Sequence, residues 1–69
     1  MPKLIHPEEL ARTFHEEYER MAPAFGYSTR KESAVPWDNV PENNRQLMTA
    51  VALSVMLKYF PDRLTIDHG

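Results

Sequence analysis

The stretch that decides the fold is Val35–Arg45, which reads VPWDNVPENNR in one-letter code. It contains the only tryptophan, Trp37, and two of the six prolines. Asn39 followed by Glu42 fits a capping box, the reciprocal side-chain arrangement that starts many helices, and Pro41 suits a first helical turn. We therefore predict a rigid approach to a helix with a large aromatic side chain at its mouth. Any binding site is expected here first.

Length and composition narrow the class of protein. The chain has 69 residues and no cysteine, so we predict one domain without disulfides or a thiolate metal site. The histidines, His6, His15 and His68, lack the spacing of metal ligands, and no metal site is expected. Small domains without such staples often dimerise or dock on a partner. Self-association is therefore one expectation.

The charge balance and the apolar runs exclude two further classes. The formal net charge is -2, whereas a nucleic-acid binder usually carries a basic face. No apolar run is long enough to cross a membrane, and the N-terminal residues lack the apolar core of a signal peptide. We expect a cytoplasmic protein, in a bacterium or a phage-infected host cell, with no nucleic-acid or membrane partner.

A first helix is predicted over about residues 7–22. Pro7 is favoured at the first helical position, and Pro23 should end the helix. Apolar side chains within and just after this range recur at spacings of three and four, which is typical of one helix face. This stripe consists of Leu10, Phe14, Tyr18, Met21 and Phe25.

A long segment, about residues 23–39, should connect this helix to a second one over about 40–59, followed by a tail over 61–69. Loops of this length are usually functional or disordered. We predict an ordered loop that packs its aromatic side chains on the helices. The second helix carries a wide apolar stripe: Val40, Asn44, Leu47, Met48, Val51, Ala52, Val55, Met56 and Tyr59. The predicted fold class is mainly α, with two amphipathic helices, a long ordered loop and little or no strand.

The candidates for a ligand-binding site are Tyr27, Arg30, Trp37, Arg45 and His15. Trp37 could stack on a flat ligand or be the largest side chain of the core. Arg45 could clamp a carboxylate or phosphate, form a salt bridge to Glu42, or make a bond that ties down the loop. Arg30 beside Tyr27 could hold an anionic group or lie at a solvated loop tip. His15 could bind a ligand or transfer a proton, or be a hydrogen-bonded structural residue.

No catalytic constellation is found in the sequence. The carboxylates of the first helix are best interpreted as a solvated face. The chain lacks a Ser/His/Asp order, a nucleophile elbow and a glycine-rich phosphate loop. We therefore expect no enzyme activity and no cofactor.

The order of these pieces resembles the RyR domain, the small module named after ryanodine receptors and also found in bacterial and phage proteins. The matching pieces are Ala11 and His15 in the first helix, the pair Phe25-Gly26, then Arg30, and finally Val35–Arg45. The match spans about residues 8–58. It implies a small helix–loop–helix binding or regulatory module without catalysis, with an adenine-type nucleotide or nucleotide signal as its ligand.

Two hypotheses of different classes follow. In the first, Tyr27 and Trp37 stack on a nucleotide base while Arg30 and Arg45 meet its anionic part. In the second, the chain is a protein-interaction or homodimerisation module without a small ligand, for example a phage protein that modulates a host factor. It would use an exposed part of the wide apolar stripe of the second helix. Four side chains there supply more apolar surface than one short partner helix can cover: Met48, Leu53, Met56 and Leu57.

Overall fold

The computed structural model of this chain describes residues 3–28, 31 and 34–66. Its elements, in order, are helix α1 (Pro7–Met21), a 3-10 turn (Ala22–Phe25), a second 3-10 turn (Trp37–Asn39), helix α2 (Glu42–Tyr59) and a third 3-10 turn (Pro61–Arg63). Within the described ranges the extended backbone forms no strand, only one isolated bridge. The predicted mainly α architecture of two helices is confirmed.

Helix α1 begins at Pro7, as predicted, and its cap is a histidine. The His6 backbone is extended, and its Nδ1 accepts a hydrogen bond of 3.0 Å from the backbone N–H of Glu8. This bond satisfies one of the N–H groups that a helix start leaves without a partner. Glu8 and Glu9 add negative charge where the helix dipole favours it.

Gly26 ends the helical run that follows α1. Its φ of 78° lies in the left-handed region, where glycine has no steric penalty. The Gly26 N–H donates to the Pro23 carbonyl, and the Tyr27 N–H donates to the Ala22 carbonyl, both at 3.1 Å. These bonds close the 3-10 turn, so the chain leaves the helix axis at this point.

Helix α2 starts later than predicted, and the capping box is wrong. Asn39 belongs to the 3-10 turn before the helix, and the N-cap is Pro41, which makes no side-chain cap bond. The reason is local: the Val40 N–H donates to the Trp37 carbonyl at 3.1 Å, and this bond closes a separate 3-10 turn before the helix. The Pro41 carbonyl then accepts the first helical bonds, from Asn44 and Arg45 at 3.0 Å.

The core lies where Trp37 meets both helices. Trp37 clusters with Ala11 of α1 and Ala52 of α2, and the partly buried Leu10 and Met48 pack against this cluster. Val40 and Met56 are the least exposed side chains of the described core, at 2% and 0%. The bulky indole therefore fills a space that small residues on both helices leave open.

The face that α1 buries differs from the predicted stripe. Its buried residues are Pro7, Ala11 and His15, with Ala22 just beyond it. Most of the predicted stripe is exposed instead: Phe14, Tyr18, Met21 and Phe25. The helix packs through its small-residue side because the loop returns there with Trp37, so the aromatic side has no partner within the described chain.

The prediction that the connecting segment packs its aromatic side chains on the helices is only partly right. Trp37 does so, whereas Tyr27 is exposed. The left-handed turn at Gly26 precedes Tyr27, and further along the segment Val35 and Trp37 contact α1. Of its described side chains near the end of α1, Phe25 and Tyr27 are exposed.

The two ends of the described chain are joined through Ile5 and Leu64, which form a parallel bridge. The Ile5 N–H donates to the Arg63 carbonyl at 2.7 Å, and the Thr65 N–H donates to the Ile5 carbonyl at 3.1 Å. The described part of the predicted tail is thus a 3-10 turn followed by a short extended piece; residues 67–69 lie outside the description.

Candidate functional site

Trp37, the main candidate for stacking, is a core residue in this structure. Only 3% of its surface is exposed, because Ala11 and Ala52 close around the ring. A stacking wall needs an open ring face, and Trp37 offers none. Of the two interpretations left open by the sequence, burial in the core is the one observed.

His15 lies beside Trp37 and holds the loop. Its ring centroid is 5.9 Å from that of the indole, and 5% of the residue is exposed. Its Nε2 lies 2.7 Å from the carbonyl oxygen of Val35. A carbonyl can only accept, so Nε2 carries the hydrogen and donates. The arrangement satisfies a buried imidazole and fixes the loop on α1, which is a structural role.

The other candidates are not assembled around these two. Arg45 is half-buried in a groove that also holds His6, Glu8 and Glu42. Two carboxylates in that groove oppose the binding of an anionic group. Tyr27 lines different grooves at the end of α1. Arg30 lies outside the described residues.

Arg45 has one further property. Its Nε is buried and, within the described part of the chain, has no hydrogen-bond partner; the same holds for the Trp37 Nε1. Buried donors without partners are rare because each costs free energy.

A groove between α1 and α2 is the most distinctive open feature of the described residues. It encloses about 440 Å³ and is lined only by apolar side chains: Leu10, Ala11, Phe14, Leu47, Met48, Val51, Ala52, Val55 and Phe60. Ala11 and Ala52 line this groove and also belong to the Trp37 cluster, so the groove lies directly against the core. We call it the interhelix groove.

Phe14 connects the interhelix groove to a second apolar hollow. Phe14 is 64% exposed, and it also lines a space of about 370 Å³ beside Tyr18, Met21 and Phe25. The Phe14 and Tyr18 rings stack with centroids 6.0 Å apart. We give the name apolar face to these exposed apolar side chains of the two hollows: Phe14, Tyr18, Met21, Phe25, Leu47, Val51 and Val55. The exposed Glu17 and Tyr27 also line the second hollow.

The residues of the apolar face were predicted from the sequence as parts of the apolar stripes of the two helices. The spacing that predicts a buried stripe is the same spacing that builds the apolar face. Of the side chains first assigned to an interaction surface, Met56 is fully buried, Met48 and Leu53 are half-buried, and Leu57 lies exposed outside the groove. The excess of apolar surface on the second helix predicted an interaction surface there, but it did not identify the part of the face that α1 contributes.

Comparison with known proteins adds no family. No protein-family model matches the chain, no curated protein matches it in sequence, and no solved structure matches its fold. The resemblance to the RyR domain therefore stays a prediction. In the described ranges, no helix combines the length and the apolar character needed to cross a bilayer. Nor do the described His, Asp and Glu side chains gather into a group of three that could hold a metal ion.

Proposed function

We propose that this chain is a non-enzymatic protein-interaction module that binds its partner through the apolar face. One observation carries the proposal: the interhelix groove is lined without a single charged or polar side chain, yet its rim is open to solvent at Phe14, Leu47 and Val51. Exposed apolar patches of this kind mark interaction surfaces, because leaving them in water costs free energy.

The chemistry of the groove favours a protein partner over a small ligand. Small-molecule sites combine apolar walls with a few convergent polar groups that fix the ligand's orientation. The interhelix groove offers a nucleotide neither a hydrogen bond nor a charge, since its lining is Leu, Ala, Phe, Met and Val only. An amphipathic helix needs neither, because it binds by inserting apolar anchors at successive turns.

The test uses random peptides displayed against the chain, immobilised at low density so that copies of the chain cannot pair. We expect enrichment of peptides with apolar residues at helical spacing. Val51→Glu should weaken their binding at least about tenfold, because it places an unpaired charge in the groove. The matched control is Leu57→Glu: Leu57 is 55% exposed, close to the 54% of Val51, on the same helix but outside the groove.

Two outcomes would contradict the proposal. One is that a chain that stays monomeric enriches no peptide, or that the enriched peptides bind Val51→Glu as tightly as the unchanged chain. The other comes from a thermal-shift panel of mono-, di- and cyclic nucleotides, since a ligand that binds the folded state raises the Tm. A nucleotide that raises the Tm, with an effect abolished by Arg45→Ala, would favour the ligand hypothesis instead.

A further inference from the structure

We infer that the partner seated on the apolar face is a second copy of this chain, in a two-fold symmetric dimer whose interhelix grooves face each other. The inference rests on the proposed function and names its occupant. In such an interface the same patch contributes from both sides. Two α1–α2 pairs would then form the four helices of one bundle.

The exposed apolar surface is the first argument. Every side chain of the apolar face is at least 40% exposed, and contiguous apolar patches mark interaction surfaces. The chain has 69 residues and no cysteine, so no disulfide supplements its core. Oligomerisation is one of the ways in which so small a domain gains stability.

The small core is the second argument. Ala11 and Ala52 are two of the three central residues of the core between α1 and α2. Helix α2 is also apolar beyond its buried residues, Ala52 and Met56, since Leu47, Val51 and Val55 form a further stripe. An apolar helix stripe must be buried against another element, and a second copy supplies that element.

The shape and charge of the face allow it to pair with itself. Exposed side chains of both helices, Phe14 of α1 and Leu47 of α2, border the groove over Ala11 and Ala52. A two-fold rotation therefore offers the exposed side chains of each copy to the groove of the other. Like charges brought together across an interface cost several kcal/mol. The interhelix groove contains no charge, so two copies of the same net charge meet there without that penalty.

The experiment is light scattering with size-exclusion chromatography, together with sedimentation equilibrium, from micromolar to millimolar chain. We expect twice the 8.0 kDa of one chain. Val51→Glu should raise the dimer Kd at least about 100-fold, because each copy brings one unpaired charge into the interface. Leu57→Glu should leave the Kd within about threefold, within the effect of an ordinary surface substitution. Circular dichroism checks that each variant stays helical. If Val51→Glu loses its helical signal, Phe14→Ser on α1 is used in its place.

A chain that stays monomeric up to millimolar concentration overturns the inference. So does a dimer that withstands both Val51→Glu and Phe14→Ser, or one that Leu57→Glu dissociates equally well, because the copies then meet through another face. Failure here is distinguishable from failure of the proposed function. A monomer that still selects helical peptides overturns only the inference that the partner is a second copy. A monomer that selects no peptide overturns both that inference and the proposed function.

Discussion

The imidazole Nε2 of His15 donates a hydrogen bond of 2.7 Å to the carbonyl oxygen of Val35 while the same ring packs against Trp37. This contact joins α1 to the loop residue two positions before the tryptophan, so it sets where the indole lies. The position of Trp37 decides in turn which face of each helix is covered.

Removing that hydrogen bond should destabilise the fold. His15→Leu keeps an apolar side chain against Trp37 but leaves the part-buried Val35 carbonyl without its donor, which should lower the free energy of unfolding by about 1–3 kcal/mol. Urea denaturation followed by circular dichroism measures the change. His15→Gln retains an N–H donor and should recover much of the loss. A His15→Leu chain as stable as the unchanged one would show that this bond contributes nothing.

Trp37 should behave as the centre of the core. Trp37→Ala removes the side chain around which Ala11 and Ala52 pack, a loss of about 3–5 kcal/mol. That is comparable to the entire core contribution expected in so small a domain. We expect Trp37→Ala to lose most of its helical circular dichroism signal, whereas Trp37→Phe stays helical with a lower Tm.

The single tryptophan also allows its burial to be measured directly. Because Trp37 is almost fully buried, its fluorescence should be blue-shifted and protected from quenching by iodide. Efficient quenching in a chain that remains helical would contradict the core position. So would a Trp37→Ala variant with an unchanged circular dichroism spectrum, which is the result expected of a stacking residue in a ligand site.

Arg45 should be dispensable for folding. Its Nε is buried without a partner in the described chain, and an unsatisfied buried donor costs free energy. Arg45→Met keeps the long apolar stem that packs in the groove, so the free energy of unfolding should stay the same or rise by up to about 1 kcal/mol.

The control for Arg45→Met is Arg12→Met. The Arg12 side chain is exposed and pairs with Glu16 at 3.4 Å. Its replacement should change the free energy of unfolding by no more than about 0.5 kcal/mol, as for most exposed ion pairs. A clear loss of stability in Arg45→Met alone would mean that the guanidinium makes a favourable interaction, and would return Arg45 to the candidates for a binding group.

Local signals predicted the start of α1, because helix ends depend on neighbouring residues, but not the start of α2. Pro7 begins α1, whereas Asn39 does not cap α2. The side that α1 buries could not be predicted in this way. Periodicity identifies the face bearing Phe14 and Tyr18, but it does not say whether the partner of that face lies in the same chain. Trp37 meets the neighbouring face of Ala11 and His15 instead, and that choice depends on how the loop returns.

The candidate site shows the same limit. Trp37 and Arg45 were linked through their place in one short stretch, yet one lies in the core and the other in a separate groove beside Glu42. Sequence proximity carried no information about which side chain a turn directs inward. His6 shows the opposite case: a weak N-cap by residue type accepts the cap bond because its extended backbone places Nδ1 near the Glu8 N–H.

The bridge between Ile5 and Leu64 has a consequence for the order in which the molecule assembles. Its two hydrogen bonds join residues separated by almost the whole described chain. Closing so large a loop is entropically costly, and contacts distant in sequence slow folding. The helices and the Trp37 cluster should therefore form first and the bridge last. In amide hydrogen exchange, Ile5 and Thr65 should then open well before the middle of α2.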